Sequence, residues 1–395
     1  MPAQSAARQS AFVIIAISLV AMLSRAALAS DAAGFVIRLG RDTTSVERWT
    51  RSPGRIEVDQ VGRSPRVLKR HFVYSLAGDG GLDHFELTLT DPTAPAGSPP
   101  VQHFNASFTA DSMRLDYLHG ADPQTKHLAY SRRTIMLAGS SACWVMYDEV
   151  SARLFASRAD SLHWPSYYLL SDTLSWIVAR RLGRDSVDIQ NEFDHYHARV
   201  DRAGHILHLI PMGGTAQFTV DRVPGVDPGA FLAPSLAAQQ RSGAMGAFSA
   251  RDTVQASAGA ASLWIDYGRP SKRGREIFGA LVPWGKVWRT GANAATQFKT
   301  DRALQMNGVT VPAGFYSLWS VPTPDGWKLI VNGETGQWGT DHHADRDLYT
   351  VDMRISALAP SAERFTIRVD PSATGGTLYF EWDTRRGAIP FTVVP

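Results

Sequence analysis

Between residues 35 and 223 apolar and polar positions alternate in short runs, the pattern of strands with one buried face. Phe85, Leu87 and Leu89 alternate with Glu86, Thr88 and Thr90. In the stretch from Arg66 to Leu76, Leu68, Phe72, Tyr74 and Leu76 fall mostly on one side, and Gly78-Asp79-Gly80-Gly81 then marks a turn. Phe104, Ala106 and Phe108 make a further run, as do Met113, Leu115 and Tyr117. Successive short strands with close turns predict an antiparallel meander. One stretch changes period. Trp144, Tyr147, Val150, Leu154 and Phe155 recur at helical spacing, with Glu149 and Arg153 off that face. The spacing predicts a helix near 144–158, so residues 31–223 read as a curved antiparallel sheet with one covering helix.

Residues 224–246 change character. Pro224, Gly225, Pro228, Gly229 and Pro234 precede Ala- and Gln-rich text, which reads as a linker with at most one helical turn. Strand patterns resume at Ser262–Tyr267, Thr296–Thr300, Phe315–Val321, Trp327–Asn332, Leu348–Ile355, Arg364–Val369 and Leu378–Trp382. Turns separate several of them, among them Asn307-Gly308 and Gly375-Gly376. Strands at this spacing predict an antiparallel β-sandwich over 247–395. The fold expected is mostly β, in two domains, which also suits a chain of 395 residues.

The N-terminus adds a compartment. Arg8 precedes an apolar run from Ala11 to Leu23, and Ala27-Leu28-Ala29 supplies small residues for cleavage after Ala29. This order is that of a secretory signal, residues 1–29, and the run is too short for a stable bilayer span. The mature chain is expected to be periplasmic or extracellular, with no transmembrane span after cleavage. Loss of Arg8 and Arg25 lowers the net charge from +3 to +1, and no Lys/Arg run tracks a phosphate backbone, so nucleic acid is not an expected partner. The single cysteine, Cys143, rules out an intramolecular disulfide or a thiolate-based zinc site, and reads as a buried small hydrophobe.

The chain has no Gly-x-Ser-x-Gly elbow, no His-Glu-x-x-His, no phosphate loop and no dinucleotide fingerprint. Two histidine clusters remain. In the first, Asp201-Arg202-Ala203-Gly204 joins two alternating runs. With Val200 opposite His205, His197 faces His208, and His195 shares their side with Arg199 and Ile206. Glu192 or Asp194 could assist from the strand end. Imidazoles this close can share a zinc ion, and a solvated polar strand face is the plainer alternative. The second cluster holds His342, His343, Asp345 and Asp347, which carry metal-ligand chemistry but also read as a solvated loop entering a strand. No cofactor is expected beyond that possible zinc.

The second half also carries a long recognisable string. It contains Tyr267-Gly268-Arg269-Pro270, Gly274-Arg275-Glu276-Ile277-Phe278-Gly279 and the run Val282 to Asn293. Val311 to Leu318 and Gly336-Gln337-Trp338-Gly339-Thr340 follow. Over 247–395 the chain resembles the bacterial domain of unknown function 2911 family. The position after Asn293, a Glu in many members, is Ala294 here. The resemblance supports the envelope location and the domain boundary and implies no reaction. Within this block Arg269, Arg275, Lys286, Trp288, Arg289, Asn293, Asn332 and Trp338 could form a polar pocket with a stacking surface for a sugar or an anionic headgroup. They could equally be fold-forming residues. The leading expectation is non-catalytic binding of a lipid, a glycan or a partner protein in the envelope. A metal-dependent hydrolase is the second expectation, and a structural envelope component without a small ligand the third.

Overall fold

The structure is a computed structural model that describes residues 33–78, 80–119, 122–131, 133–137, 143–213 and 217–395. The expected signal segment, 1–29, lies outside the described residues, as does Asp79 of the expected turn. The chain forms two compact units that divide at Ala244 and Met245, apart from two short exchanged segments. Both are built mainly of strands, as the alternating patterns predict.

The first unit is one sheet of fifteen strands among the described residues. In chain order they are β1 (Ala33–Leu39), β2 (Asp42–Ser52), β3 (Arg55–Gly62), β4 (Leu68–Leu76), β5 (Leu82–Thr90), β6 (Gln102–Phe108), β7 (Ser112–His119) and β8 (Asp122–Ala129). Then come β9 (Ile135–Leu137), β10 (Ser161–Tyr168), β11 (Ser175–Arg181), β12 (Ser186–Asn191), β13 (His195–Val200), β14 (Ile206–Pro211) and β15 (Phe218–Pro224). Neighbours in the sheet run from β8 back to β1, then from β15 back to β9. The ladders are antiparallel meanders, and β9 pairs parallel with β10. Inward-facing residues pair across them: Tyr74 with Phe85, Leu87 with Phe104 and Ala106 with Leu115. The sheet curls so that Lys126 on β8 bonds the Leu170 carbonyl and Asp172, beyond the end of β10.

The helix expected near 144–158 is α1 (Val145–Ser157), and it is more enclosed than a single apolar stripe implies. Asp148 and Glu149 are buried along with Tyr147, Val150 and Leu154. Buried carboxylates need partners, and each has them. Asp148 accepts from the Ile206 amide at 2.7 Å and pairs with His205 at 3.0 Å and Arg222 at 3.4 Å. Glu149 pairs with Arg51 and with Arg153. The helix start rests on Glu47 of β2, whose carboxylate accepts the Trp144 and Val145 amides at 3.0 and 2.9 Å. These are amides that a helix leaves without an internal partner. Cys143, just before the helix, is buried as expected.

Residues 224–246 depart from the linker expected of them. They contain α2 (Pro228–Ser242), a fifteen-residue helix that belongs to the first unit. Asp227 is its N-cap and accepts from the Gly229 amide at 2.8 Å, with Pro228 at the first helical position. Asp-Pro before a short-side-chain run is a helix start, and here it overrides the loop signal of the nearby Pro and Gly residues. Gln239 on α2 accepts the Val67 amide at 2.7 Å, which ties the helix to the approach of β4.

The second unit comprises β16 (Ser249–Ala258), β17 (Ala261–Pro270), β18 (Thr296–Thr300), β19 (Leu304–Met306), β20 (Val309–Val311), β21 (Gly314–Pro322), β22 (Trp327–Asn332), β23 (Asp347–Ser372) and β24 (Gly375–Val393). Their order is β16-β17-β18-β21-β22-β23-β24-β19-β20. Asn307-Gly308 turns β19 into β20, both residues with positive φ. The two strands expected at 348–355 and 364–369 are one long strand, β23. Its ladder with β24 shifts register near Ala357, Ala362 and Thr366. The ribbon bends there, so its far part lies against β17, where the Ile367 amide donates to the Tyr267 hydroxyl at 3.1 Å. That closure makes the sandwich, around a core of Trp288, Trp382, Phe365, Phe278 and Trp327.

Candidate functional site

The histidine hairpin forms with a different register from the one expected. Arg199 faces His208, His197 faces Ile210, and a bulge lies between Arg199 and Val200. Its cause is α1. Asp148 binds both the His205 imidazole and the Ile206 amide, which pulls His205 out of the ladder and sends Ile206 inward opposite Val200. Because the shift is two positions, His195, His197 and His208 keep one face, but His197 and His208 are no longer opposed. His208 instead pairs with Asp221 at 2.7 Å, and Arg38 takes the other oxygen of that carboxylate. His208 therefore leaves the expected metal set.

The residue that joins His195 and His197 is Asp188 on β12, directly opposite His197. Its Oδ1 lies 2.6 Å from His195 Nε2 and 2.8 Å from His197 Nε2. Among the described residues this is the one group of three side chains whose donor atoms lie within 4.8 Å of one another. Asp194 takes no part. It is largely buried, which pushes its carboxyl up to about 6. The sequence held a signal for Asp188: Val187 and Ile189 flank it, so it shares the outward phase of the strand. Finding its partner required the turn, which Asn191 makes by accepting the Phe193 and Asp194 amides.

The second cluster does not converge. His342 pairs with Asp347 at 2.9 Å and packs on Trp319, His343 pairs with Glu334 at 2.6 Å, and Asp345 pairs with Arg346. Asn332 is fully buried and donates to both Asp347 and the His343 carbonyl, at 2.8 and 3.0 Å. These contacts tie the loop to β22 and β23, and they place Asn332 in the fold rather than in a pocket.

The remaining pocket candidates also mostly hold the sandwich together. Trp288 stacks on Trp382 in the core, centroids 5.8 Å apart. Arg269 binds Asp252, Thr366 and the Phe365 carbonyl, and so clamps β17 to β16 and β23. Arg275 donates to the Ser271 and Lys272 carbonyls, and burial pushes its guanidinium down to about 10. Burial does the same to Arg289, whose stem lies across Gly339. Asn293 has a left-handed φ of 63° and donates to the Ser249 carbonyl. Lys286 is exposed, and Trp338 is 42% exposed beside Ala294. The glycines of the string have a structural reason too. A Cβ on Gly268 would lie 2.1 Å from the Ala292 carbonyl oxygen. Gly268→Ala is therefore expected to destabilise the second unit by about 2–4 kcal/mol, as a steric clash with backbone that must move. A urea midpoint unchanged from that of the parent chain would contradict this.

A site that the sequence pattern did not single out lies on the outer face of β16, β17, β18 and β21. Gln255, Trp264, Lys299 and Phe315 are cross-strand partners in one row. Three strand spacings make this row roughly 14 Å long. Phe315 is 47% exposed, and its ring leans toward Trp264, centroids 6.1 Å apart at 61°. The row lines a groove of about 810 Å³, whose far side holds Ser257, Ser262 and Asp301. Asp301 accepts the Ser262 amide at 2.7 Å, a bond that holds its carboxyl below the usual range. The available signal was an aromatic side chain on the polar phase of a strand, between Ser262 and Asp266.

Residues 249–391 match the model of a family described as "Protein of unknown function (DUF2911)". The first unit lies outside that match. A search of curated proteins gives no match. Among solved structures, the chain is similar to a DUF1849 β-barrel-like protein from Brucella abortus at 10% identity, covering 49% of this chain and 96% of that one, with a TM-score of 0.33. It is similar to a DUF1089 family protein from Pseudomonas aeruginosa at 11% identity, covering 43% of this chain and 90% of that one, with a TM-score of 0.31. Among the described residues no helix is long and apolar enough to cross a membrane.

Proposed function

We propose that the protein is an exported, non-catalytic binding protein of the cell envelope whose second unit holds a glycan in the groove across β16, β17, β18 and β21. The observation that carries this reading is the pairing of a half-buried Trp264 with an exposed Phe315 on the outer strand face, set among amide, hydroxyl and charged groups. Apolar surface rimmed by polar groups is the kind of surface that ligand-binding grooves present. A sugar ring suits them, because its C–H face packs on an aromatic ring while its hydroxyls reach Gln255, Ser257, Lys299 and Asp301. Lys299 and Asp301 carry opposite charges, which favours a neutral or zwitterionic sugar over a polyanion. A lipid needs an enclosed apolar space, and the inner face of the first unit's sheet is instead packed by Trp144, Tyr147, Val150 and Leu154. The export part of the reading rests on the N-terminal sequence pattern.

The test is a glycan array probed with residues 30–395, followed by calorimetry on the best neutral oligosaccharide. Trp264→Ala and Phe315→Ala are each expected to weaken binding about tenfold or more, the worth of one stacked ring and its buried area. Retention of no glycan by the parent chain, or equal affinity in the double variant, would remove the proposal.

A further inference from the structure

We propose that Asp188, His195 and His197 form a binding site for one divalent transition-metal ion of the zinc class. The three donor atoms converge from two adjacent strands, with Asp188 opposite His197 and His195 two residues before it at the start of β13. The strand pleat sends residues 195 and 197 to the same face. The ligand set of two imidazoles and one carboxylate suits zinc, nickel, copper or iron rather than calcium or magnesium.

The site is shaped for an open coordination sphere. The Asp188 side chain is only 13% exposed and forms the floor, while the imidazoles are 39% and 37% exposed and form the walls. Solvent can supply the remaining positions, as in three-ligand sites generally. Zinc bonds of about 2.0 Å in a tetrahedron set donor atoms about 3.3 Å apart. The present separations of 2.6 and 2.8 Å require the imidazoles to open by roughly 0.5–0.7 Å, within the reach of side-chain torsions.

The surrounding charges fit a cation. Among the described ion pairs, Asp188 has none with Lys or Arg, and Arg180, its partner on β11, is exposed. As ligands, two imidazoles and one carboxylate would bring a single negative charge to a dication. The neighbouring His208 and Asp221 make the contrast, because Arg38 already neutralises that carboxylate. This site is on the first unit and is independent of the glycan groove on the second.

The experiment is calorimetric titration of chelator-stripped residues 30–395 with zinc, and with cobalt to read the ligand-field spectrum. The expected result is one equivalent bound with a Kd of about 1 µM or tighter and a tetrahedral or five-coordinate cobalt spectrum. His195→Ala, His197→Ala and Asp188→Asn should each weaken binding at least about tenfold, and His208→Ala should leave it unchanged. Circular dichroism checks that each variant is folded, and Asp188→Asn keeps the shape of the side chain if an alanine variant is not. Absence of saturable binding in the parent chain, affinity retained in the variants, or equal loss in His208→Ala would each overturn the proposal.

Discussion

Replacing Trp382 with alanine is expected to lower the stability of the second unit by about 3–5 kcal/mol, the usual cost of deleting a large aromatic side chain from a packed core. Trp382 is fully buried. It stacks on Trp288 and meets Phe365 and Phe278 edge-on, with centroids 5.8, 5.9 and 6.4 Å away. These partners come from β23 and the segment between β17 and β18, so one ring of β24 joins parts that are distant in sequence. Its removal leaves a void that backbone closure cannot fill, because the ribbon of β23 and β24 is fixed by its own ladder. Phenylalanine at the same place should recover about half of the loss. Urea unfolding followed by hydrogen exchange on β17 and β24 measures both. A loss below about 1 kcal/mol would mean that the ring stack does not close the sandwich.

The second large effect is on pH. Glu47 is fully buried, and burial pushes its carboxyl from 4.5 up to about 7 against the opposing pull of the Trp144, Val145 and Gln60 donors. The unfolded chain releases this proton near 4.5, whereas the folded chain keeps it until about 7. Between those values the folded state therefore binds more protons, and stability falls as pH rises. The loss is complete above the folded value and amounts to about 3 kcal/mol, at 1.36 kcal/mol per unit. His205 acts in the same direction. Its hydrogen bond to Asp148 raises its pKa, so the stability it contributes is full below its unfolded value and is lost as pH rises through the folded one. Glu47→Gln keeps an acceptor for the helix amides but cannot ionise. It is expected to remove the Glu47 part of the decline in first-unit stability between about pH 5 and 8, leaving the slope of Asp194 below about pH 6 and that of His205. Urea midpoints across that range would show this, and parallel curves for parent and variant would contradict it.

Glu47 also shows where sequence reading stops. On β2 it alternates with polar Arg48 as any strand residue does, and a charged residue at that phase predicts a solvated face. The structure turns Glu47 and Trp49 inward, because the start of α1 needs acceptors there. The same helix decided the hairpin register, through Asp148 on His205 and Ile206. Neither effect lies within one element. Each is a polar group on α1 finding its partner on a strand far away in the chain.

Other features needed no tertiary information. The period-two runs placed β18 and β22 at their observed bounds, and the helical spacing of Trp144, Tyr147 and Val150 placed α1 to within a residue at each end. Asn307-Gly308 identified its hairpin turn, since positive φ is easiest for these two residues. The string from Tyr267 to Thr340 identified the family that the second unit matches. Asp227-Pro228 carried a helix start that the surrounding prolines and glycines masked.

The candidate sites divide along the same line. Sequence alone determined that His195 and His197 share a strand face, because the pleat has a period of two wherever the strand lies. It also determined that Trp264 stands on the polar phase of its strand. Only the tertiary structure decided that Asp188, not His208, completes the histidine group, and that Trp264, Lys299 and Phe315 form one row. The physical reason is that phase is a local property of the backbone, whereas register is set by turns, bulges and buried polar contacts. Those depend on groups the chain brings together only when it folds.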